Sequence, residues 1–278
     1  MHERVAGFDL AVNGGVATLT VNRPGKHNAL TLDMWLALPE LMATVGADPE
    51  VRVVVVTGAG SEAFSAGADI AEFAQVFSTP EGTARFNAAV RSGNLAVERC
   101  PKPTIAMIHG LCVGGGCGLA LHCDLRFAGS GSRFGITPAK LGLVYPLEDT
   151  RRLVNHIGPA RAKDLLFSGR LIGAAEALAI GLVDRVVGDT ELGAAVKDYA
   201  ATLCGLSQFS IQAAKCIVQS IQDAAQDGPQ DGAAGGPGGD AETFLAHAAR
   251  NADFVEGRDA FLVKRRPNFT WRGWDEEP

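Results

Sequence analysis

No C-x-x-C pair and no H-x-x-x-H pair occurs in the chain. Cys100, Cys112, Cys117, Cys123, Cys204 and Cys216 therefore lack the ligand spacing of a structural zinc site, and they read as reduced, mostly buried thiols. No metal site is expected. Excess positive charge is also missing: 25 Lys and Arg stand against 31 Asp and Glu, a net charge of −6. That balance excludes the broad basic footprint of a nucleic-acid binder, so an anionic ligand would depend on a few local Lys or Arg. The opening "MHERVAGFDL" is polar and charged, unlike a secretory signal, which together with reduced thiols points to the cytoplasm. Long apolar runs are scarce too. "TIAMIHGLCVGGGCGLAL" comes nearest to the ~18 to 20 residues of a membrane span. His109 and five glycines interrupt it, and the start "PTI" suits a strand, so no membrane partner is expected.

What is present suits a globular enzyme. The chain is 47% hydrophobic and 20% charged, enough for a substantial core. "VATLTV" (16–21), "VRVVVV" (51–56), "PTIAMIHG" and "DLRFAG" read as strands. Between the first two lies a segment with helical spacing, with Thr31 as its candidate N-cap. After about residue 150 the pattern turns mainly helical, over 175–183, 191–206 and 208–226. This implies an α/β core over 1–195 and a helical C-terminal region over 196–278. The stretch "DGPQDGAAGGPGGD" (227–240) has too little apolar bulk to pack and reads as a flexible surface insertion.

Two familiar motifs fail on context. "VVVVTGAGSEA" offers G-x-G-x-x-A after a strand, but no helix opens directly behind it, as dinucleotide binding requires. "AFSAG" approaches a nucleophile elbow, yet Ser65 lies eight residues beyond the end of the strand, so it reads as a loop hydroxyl making a local hydrogen bond. His2, His27, His109, His122, His156 and His247 each read as packed or surface residues.

"CVGGGCGLAL" (112–121) puts four glycines at the start of a helix-like apolar run, although each costs about 1 kcal/mol against Ala in a helix interior. "FSAGADI" (64–70) is a second loop of small residues. Unpaired peptide N–H groups at two such places, aimed at one point, make an oxyanion hole. Close packing of backbones is the structural reading of the same glycines.

"LTVNRPGKHNALT" (19–31), "FSAGADI" (64–70), "PKPTIAMIHGLCVGGGCGLALHCDLRFA" (101–128), "FGITPAKLGL" (134–143) and "LLFSGRLIGAAEALAIGLVDRVV" (165–187) together resemble the crotonase, or enoyl-CoA hydratase/isomerase, superfamily. The resemblance implies a spiral of β-β-α turns, assembly as a homotrimer or a pair of trimers, and acyl-CoA thioester chemistry through an enolate. It places the oxyanion-binding N–H groups at Ala66 and Gly115. It lays coenzyme A along Asn28, Ala29 and Leu30 and along Ala66, Gly67, Ala68, Asp69 and Ile70, with Lys26 and Lys264 near its phosphates. Coenzyme A is then part of the substrate, and no separate cofactor is implied.

Hydratases of this family carry two glutamates, at positions that Gly118 and Pro138 occupy here, so both carboxylates are missing. "TPAKLGLVY" (137–145) resembles the methylmalonyl-CoA decarboxylase branch, which shares a tyrosine at Tyr145 but has a histidine where Ala68 stands. Three readings stay open. The chain is a hydratase or isomerase drawing its acid from Glu148 or Asp149, a decarboxylase using Tyr145, or a silent acyl-CoA-binding or scaffold protein. Glu148 and Asp149 could equally cap the helix expected near Thr150 or pair with Arg151 and Arg152.

Overall fold

A computed structural model of the protein describes residues 2–227 and 240–274. The expected insertion at 227–240 lies outside the described residues except at its two ends. Eleven strands form two sheets among these residues. The larger contains β1 (His2–Val5), β2 (Phe8–Asn13), β3 (Val16–Val21), β4 (Val53–Gly58), β6 (Thr104–Ile108), β8 (Leu125–Gly129) and β11 (Arg185–Val187), in that spatial order. The first three strands pair antiparallel and the rest parallel. The smaller sheet runs β5 (Ala63–Ser65), β7 (Leu111–Val113), β9 (Arg133–Gly135) and β10 (Leu171–Gly173), read here from its β5 edge.

The chain repeats one step. It leaves a strand of the large sheet, adds a strand to the small one, and enters a helix. So β4 and β5 lead through a short α2 (Phe73–Val76) to α3 (Pro80–Glu98), β6 and β7 lead to α4 (Gly115–Leu121), and β8 and β9 lead to α5 (Leu147–Ser168). This is the β-β-α spiral that the resemblance implies.

Every residue of β4 is buried. A parallel strand covered on both faces needs apolar residues at successive positions, which the run of valines supplies. Val54 and Val56 face the core against α1 (Leu32–Ala47), while Val53 and Val55 meet Ile105, Phe127 and the residues Leu192, Val196 and Ala200 of a later helix. After α6 (Ala174–Ala179), that later helix is α7 (Leu192–Cys204). The boundary expected at 195/196 thus falls inside a helix packed on the sheet. Beyond it α8 (Gln208–Asp227), α9 (Ala241–His247) and α10 (Ala252–Leu262) complete the described chain. Their shared core is aromatic: Phe209 lies edge-on to both Phe244 and Trp271.

Thr31 caps α1 as expected, its side chain accepting the Met34 N–H at 3.2 Å. α1 crosses α3 closely because Gly93 leaves room for Trp35: a Cβ at 93 would stand 3.0 Å from the indole Cε3 and 3.1 Å from the Trp35 carbonyl oxygen. Gly93→Ala is expected to lower stability by about 1–3 kcal/mol through overpacking, read as a fall in Tm. An unchanged Tm would mean that this crossing is looser than described.

Candidate functional site

The site lies where the small sheet meets α4. Ser65 ends β5 fully buried, its hydroxyl donating to the Asn28 carbonyl at 2.8 Å and accepting the Gly67 N–H at 3.2 Å. That is the local role expected of it. Gly67 turns the chain with φ +94°, and Gly114 turns the second loop with φ +53°, a region that side-chain-bearing residues rarely adopt. The two turns bring the loops into contact: a Cβ on Gly67 would stand 3.0 Å from the Gly115 nitrogen, and one on Gly115 would stand 3.5 Å from the Ala68 nitrogen.

The expected donor Ala66 is corrected by this geometry. Its N–H donates to the His27 carbonyl at 2.9 Å and is spent inside the loop. The amide facing Gly115 belongs to Ala68. In a trans peptide the C=O and N–H point opposite ways, so fixing one end aims the other. The Gly67 carbonyl accepts the Leu30 N–H at 2.7 Å, which turns the Ala68 N–H away from Leu30. The Gly114 carbonyl accepts the Gly118 N–H at 3.0 Å and the Tyr145 hydroxyl at 3.2 Å, which turns the Gly115 N–H away from α4 and Tyr145. Neither the Ala68 nor the Gly115 N–H has a hydrogen-bond partner among the described residues.

Gly118, one turn into α4, is the position at which the resemblance implies a glutamate in hydratases. The space is filled from α5. A Cβ at 118 would stand 2.5 Å from Asp149 Oδ2 and 3.2 Å from the Tyr145 hydroxyl. Asp149 is 1% exposed; its Oδ1 accepts the Asn94 amide of α3 at 2.9 Å, while Oδ2 has no partner among the described residues. Burial pushes the Asp149 carboxyl up to about 7, with the Asn94 bond opposing and Glu148 adding to the rise. Burial, aided by Asp149, also raises the Tyr145 phenol well above its ordinary range. Glu148 points elsewhere, paired with Arg91 at 3.1 Å. The helix begins at Leu147 rather than near Thr150, and Arg152 pairs with Glu98 of α3. One of the two candidate acids is thus at the site and the other is not.

The remaining expected residues divide. Leu30 and Asp69 join the two loops through the Asp69 N–H to Leu30 carbonyl bond at 2.9 Å. Asn28 is fully buried, its amide donating to the Ala59 and Ala63 carbonyls while its oxygen accepts the Arg23 N–H, so its side chain braces the loop. Ala29 and Leu30 also turn their side chains into the core, which leaves backbone contacts for any ligand along this stretch. Asp69 pairs with Arg23 at 2.8 Å, and Ile70 and Lys26 are exposed. Lys264 lies past α10 and shares no hydrogen bond or ion pair with either loop among the described residues.

Asn94 escaped the sequence reading. The signal was available: it falls within the buried stripe Phe86, Val90, Gly93, Val97 of α3, where a polar side chain needs a partner. Gly118→Glu is expected to lower stability by about 1–3 kcal/mol, because the new side chain meets Asp149. Adding Asp149→Ala should restore most of that Tm loss. A single variant as stable as the parent would contradict the shared volume.

Comparison with known proteins agrees with this architecture. A sequence model described as enoyl-CoA hydratase/isomerase matches residues 11–272. The chain is 37% identical over 255 residues to the crotonyl-CoA hydratase of Syntrophomonas wolfei, covering 91% of this chain and 94% of that protein. It is 28% identical over 268 residues to the peroxisomal Delta(3,5)-Delta(2,4)-dienoyl-CoA isomerase of Arabidopsis thaliana, covering 92% and 93%. A crystal structure of an enoyl-CoA hydratase/isomerase family protein from Hyphomonas neptunium superposes with a TM-score of 0.88 at 39% identity, covering 96% of this chain and 98% of that one. With its spiral of β-β-α turns and its paired glycine loops, the chain belongs to the enoyl-CoA hydratase/isomerase family.

Proposed function

We propose that the protein shifts the double bond of an enoyl-CoA thioester, with the Ala68 and Gly115 amides holding the thioester oxygen and Asp149 moving the proton. The observation that carries this reading is the placement of Asp149: a carboxyl oxygen without a hydrogen-bond partner among the described residues, next to Gly118 in a buried site. Two backbone donors on a developing oxyanion are worth about 3–4 kcal/mol each and acidify the carbon beside the thioester. Asp149 then takes a proton from C2 as the C2–H bonding pair moves toward the carbonyl to give a dienolate, and returns it at C4 as the carbonyl re-forms and the double bond shifts from C3–C4 to C2–C3. One group serves both steps. Hydration by two carboxylates lacks its second acid here, since Gly118 and Pro138 have no titratable side chain.

Coenzyme A is placed along the backbone of 27–30 and 66–70, with Lys26 and Lys264 as phosphate contacts, and the assembly is a trimer or a pair of trimers. Both follow the family resemblance. A second reading, decarboxylation, is favoured by Tyr145 standing beside Gly118 and Asp149. The breaking C–C bond would supply the enolate electrons, and Asp149 in its acid form would protonate the product.

The two reactions need opposite states of Asp149. As a base it must be ionised, so kcat/KM for a 3-enoyl-CoA is expected to rise with pH through about 7. As the acid of a decarboxylase it must be protonated, and activity on methylmalonyl-CoA would fall through the same range. Asp149→Asn is expected to lower isomerase kcat by about 10²–10⁴-fold with KM little changed, and Tyr145→Phe by less than about tenfold. Full activity of Asp149→Asn contradicts the proposal. CO2 release from methylmalonyl-CoA without turnover of the 3-enoyl-CoA selects the second reading.

A further inference from the structure

Behind Asp149 lies a buried polar chain that the proton transfer does not itself use. His122 ends α4 with its ring fully buried. Its Nδ1 stands 2.9 Å from the Gly118 carbonyl oxygen and 3.8 Å from Asp149 Oδ1. A carbonyl only accepts, so Nδ1 carries a hydrogen. Nε2 is buried, has no hydrogen-bond partner among the described residues, and stands 3.6 Å from Glu98 Oε2. Glu98 in turn accepts from Arg152 Nε at 2.8 Å and from Gln219 Nε2 at 2.9 Å. In the neutral ring a bare Nε2 lone pair would face this carboxylate, which is unfavourable in a dry interior. A proton on Nε2 turns that repulsion into a charge-assisted hydrogen bond.

We propose that His122 is a positioning residue for Asp149: it holds a proton on Nε2, toward Glu98, when the aspartate is ionised. The inference rests on the reading of Asp149 as the acid–base group. Its proton balance closes. Below the limb both Asp149 and His122 carry their protons; as the pH rises the Asp149 proton leaves to solvent, and the one on His122 Nε2 stays. With Glu98 negative and Arg152 positive, the four-residue cluster has zero net charge once Asp149 is ionised. A base can then exist in the interior without an uncompensated buried charge, which is otherwise costly.

The groups facing His122 are Glu98 from α3 and Glu148, Asp149, Arg152 and His156 from α5. Burial, the largest influence, holds the imidazole below its ordinary value; the bond to the Gly118 carbonyl, Glu98 and Glu148 push it up, and Arg152 adds to the fall. An ionised Asp149, its Oδ1 3.8 Å from Nδ1, would oppose that fall. His156 is driven down to about 3 by its own burial, with Arg126 and Arg152 adding to the fall, so it brings no competing charge.

Two measurements test this. His122→Asn retains a donor for the Gly118 carbonyl but has no titratable nitrogen. The rising limb of kcat/KM is expected to move up by at least about one pH unit, an about tenfold loss at pH 7 that disappears above the new limb, with KM within about twofold. A merely structural histidine would give either an unchanged profile or a loss equal at all pH values, and either outcome overturns the proposal. Nitrogen NMR of the imidazoles in the unmodified protein needs no variant to fold. Both His122 nitrogens are expected to be protonated at about pH 8 and only one in Asp149→Asn, as the paired charge requires. A neutral His122 in the parent protein at that pH overturns it. Failure of the acid–base reading itself shows separately, as Asp149→Asn that still turns over.

Discussion

Two peptide planes, each anchored by its carbonyl, are the constraint on which the site depends. Leu30 holds the Gly67 oxygen, and Gly118 with Tyr145 holds the Gly114 oxygen. Because each peptide is planar and trans, those anchors aim the next residue's N–H without any side chain being involved. Much of the surrounding polar structure supports the anchors. Ser65 and Asn28 tie the first loop to the strand that delivers it, and Gly114 donates to Gly135 across the small sheet at 2.9 Å. The sheets make this possible at low strain, since β5, β7 and β9 lie side by side and end near one another.

Beside that pair of amides the structure places a carboxyl from α5. Glycine at 118 and aspartate at 149 occupy one volume between them, so neither change is tolerable alone. A glycine without Asp149 would leave a hole beside Tyr145, and Asp149 with a larger residue at 118 would clash. The carboxyl thus arrives from α5 instead of α4, with an amide from α3 beneath it. Its raised pKa follows from the same enclosure: one hydrogen bond from Asn94 does not offset removal from water.

How far this could be read beforehand depended on range. The alternation of strands and helices, the Thr31 cap, the Gly67 N–H to Ser65 hydroxyl bond and the two runs of small residues are local patterns, and the structure has them. In "SAGA" Ala66 and Ala68 stand in nearly the same setting, and only the partner of each N–H separates them. His27, 39 residues upstream of Ala66, takes one of them, and no composition or spacing reveals that. Glu148 and Asp149 are adjacent in the sequence but a helix turns them to different faces, one toward Arg91 and one into the core. Asn94 and His122 each looked like ordinary helix residues until α3, α4 and α5 met. Long-range packing made them part of one cluster, whereas the buried stripe of α3 alone would only have marked Asn94 as unusual.

The central claim concerns the oxygen that the two amides receive. A crystal structure with an unreactive acyl-CoA thioester analogue tests it most directly. The account predicts the thioester oxygen within about 3 Å of both the Ala68 and the Gly115 nitrogens, the distance of donors matched to an oxyanion. An oxygen bound elsewhere, or reaching Gly115 while Ala68 points away, would contradict it.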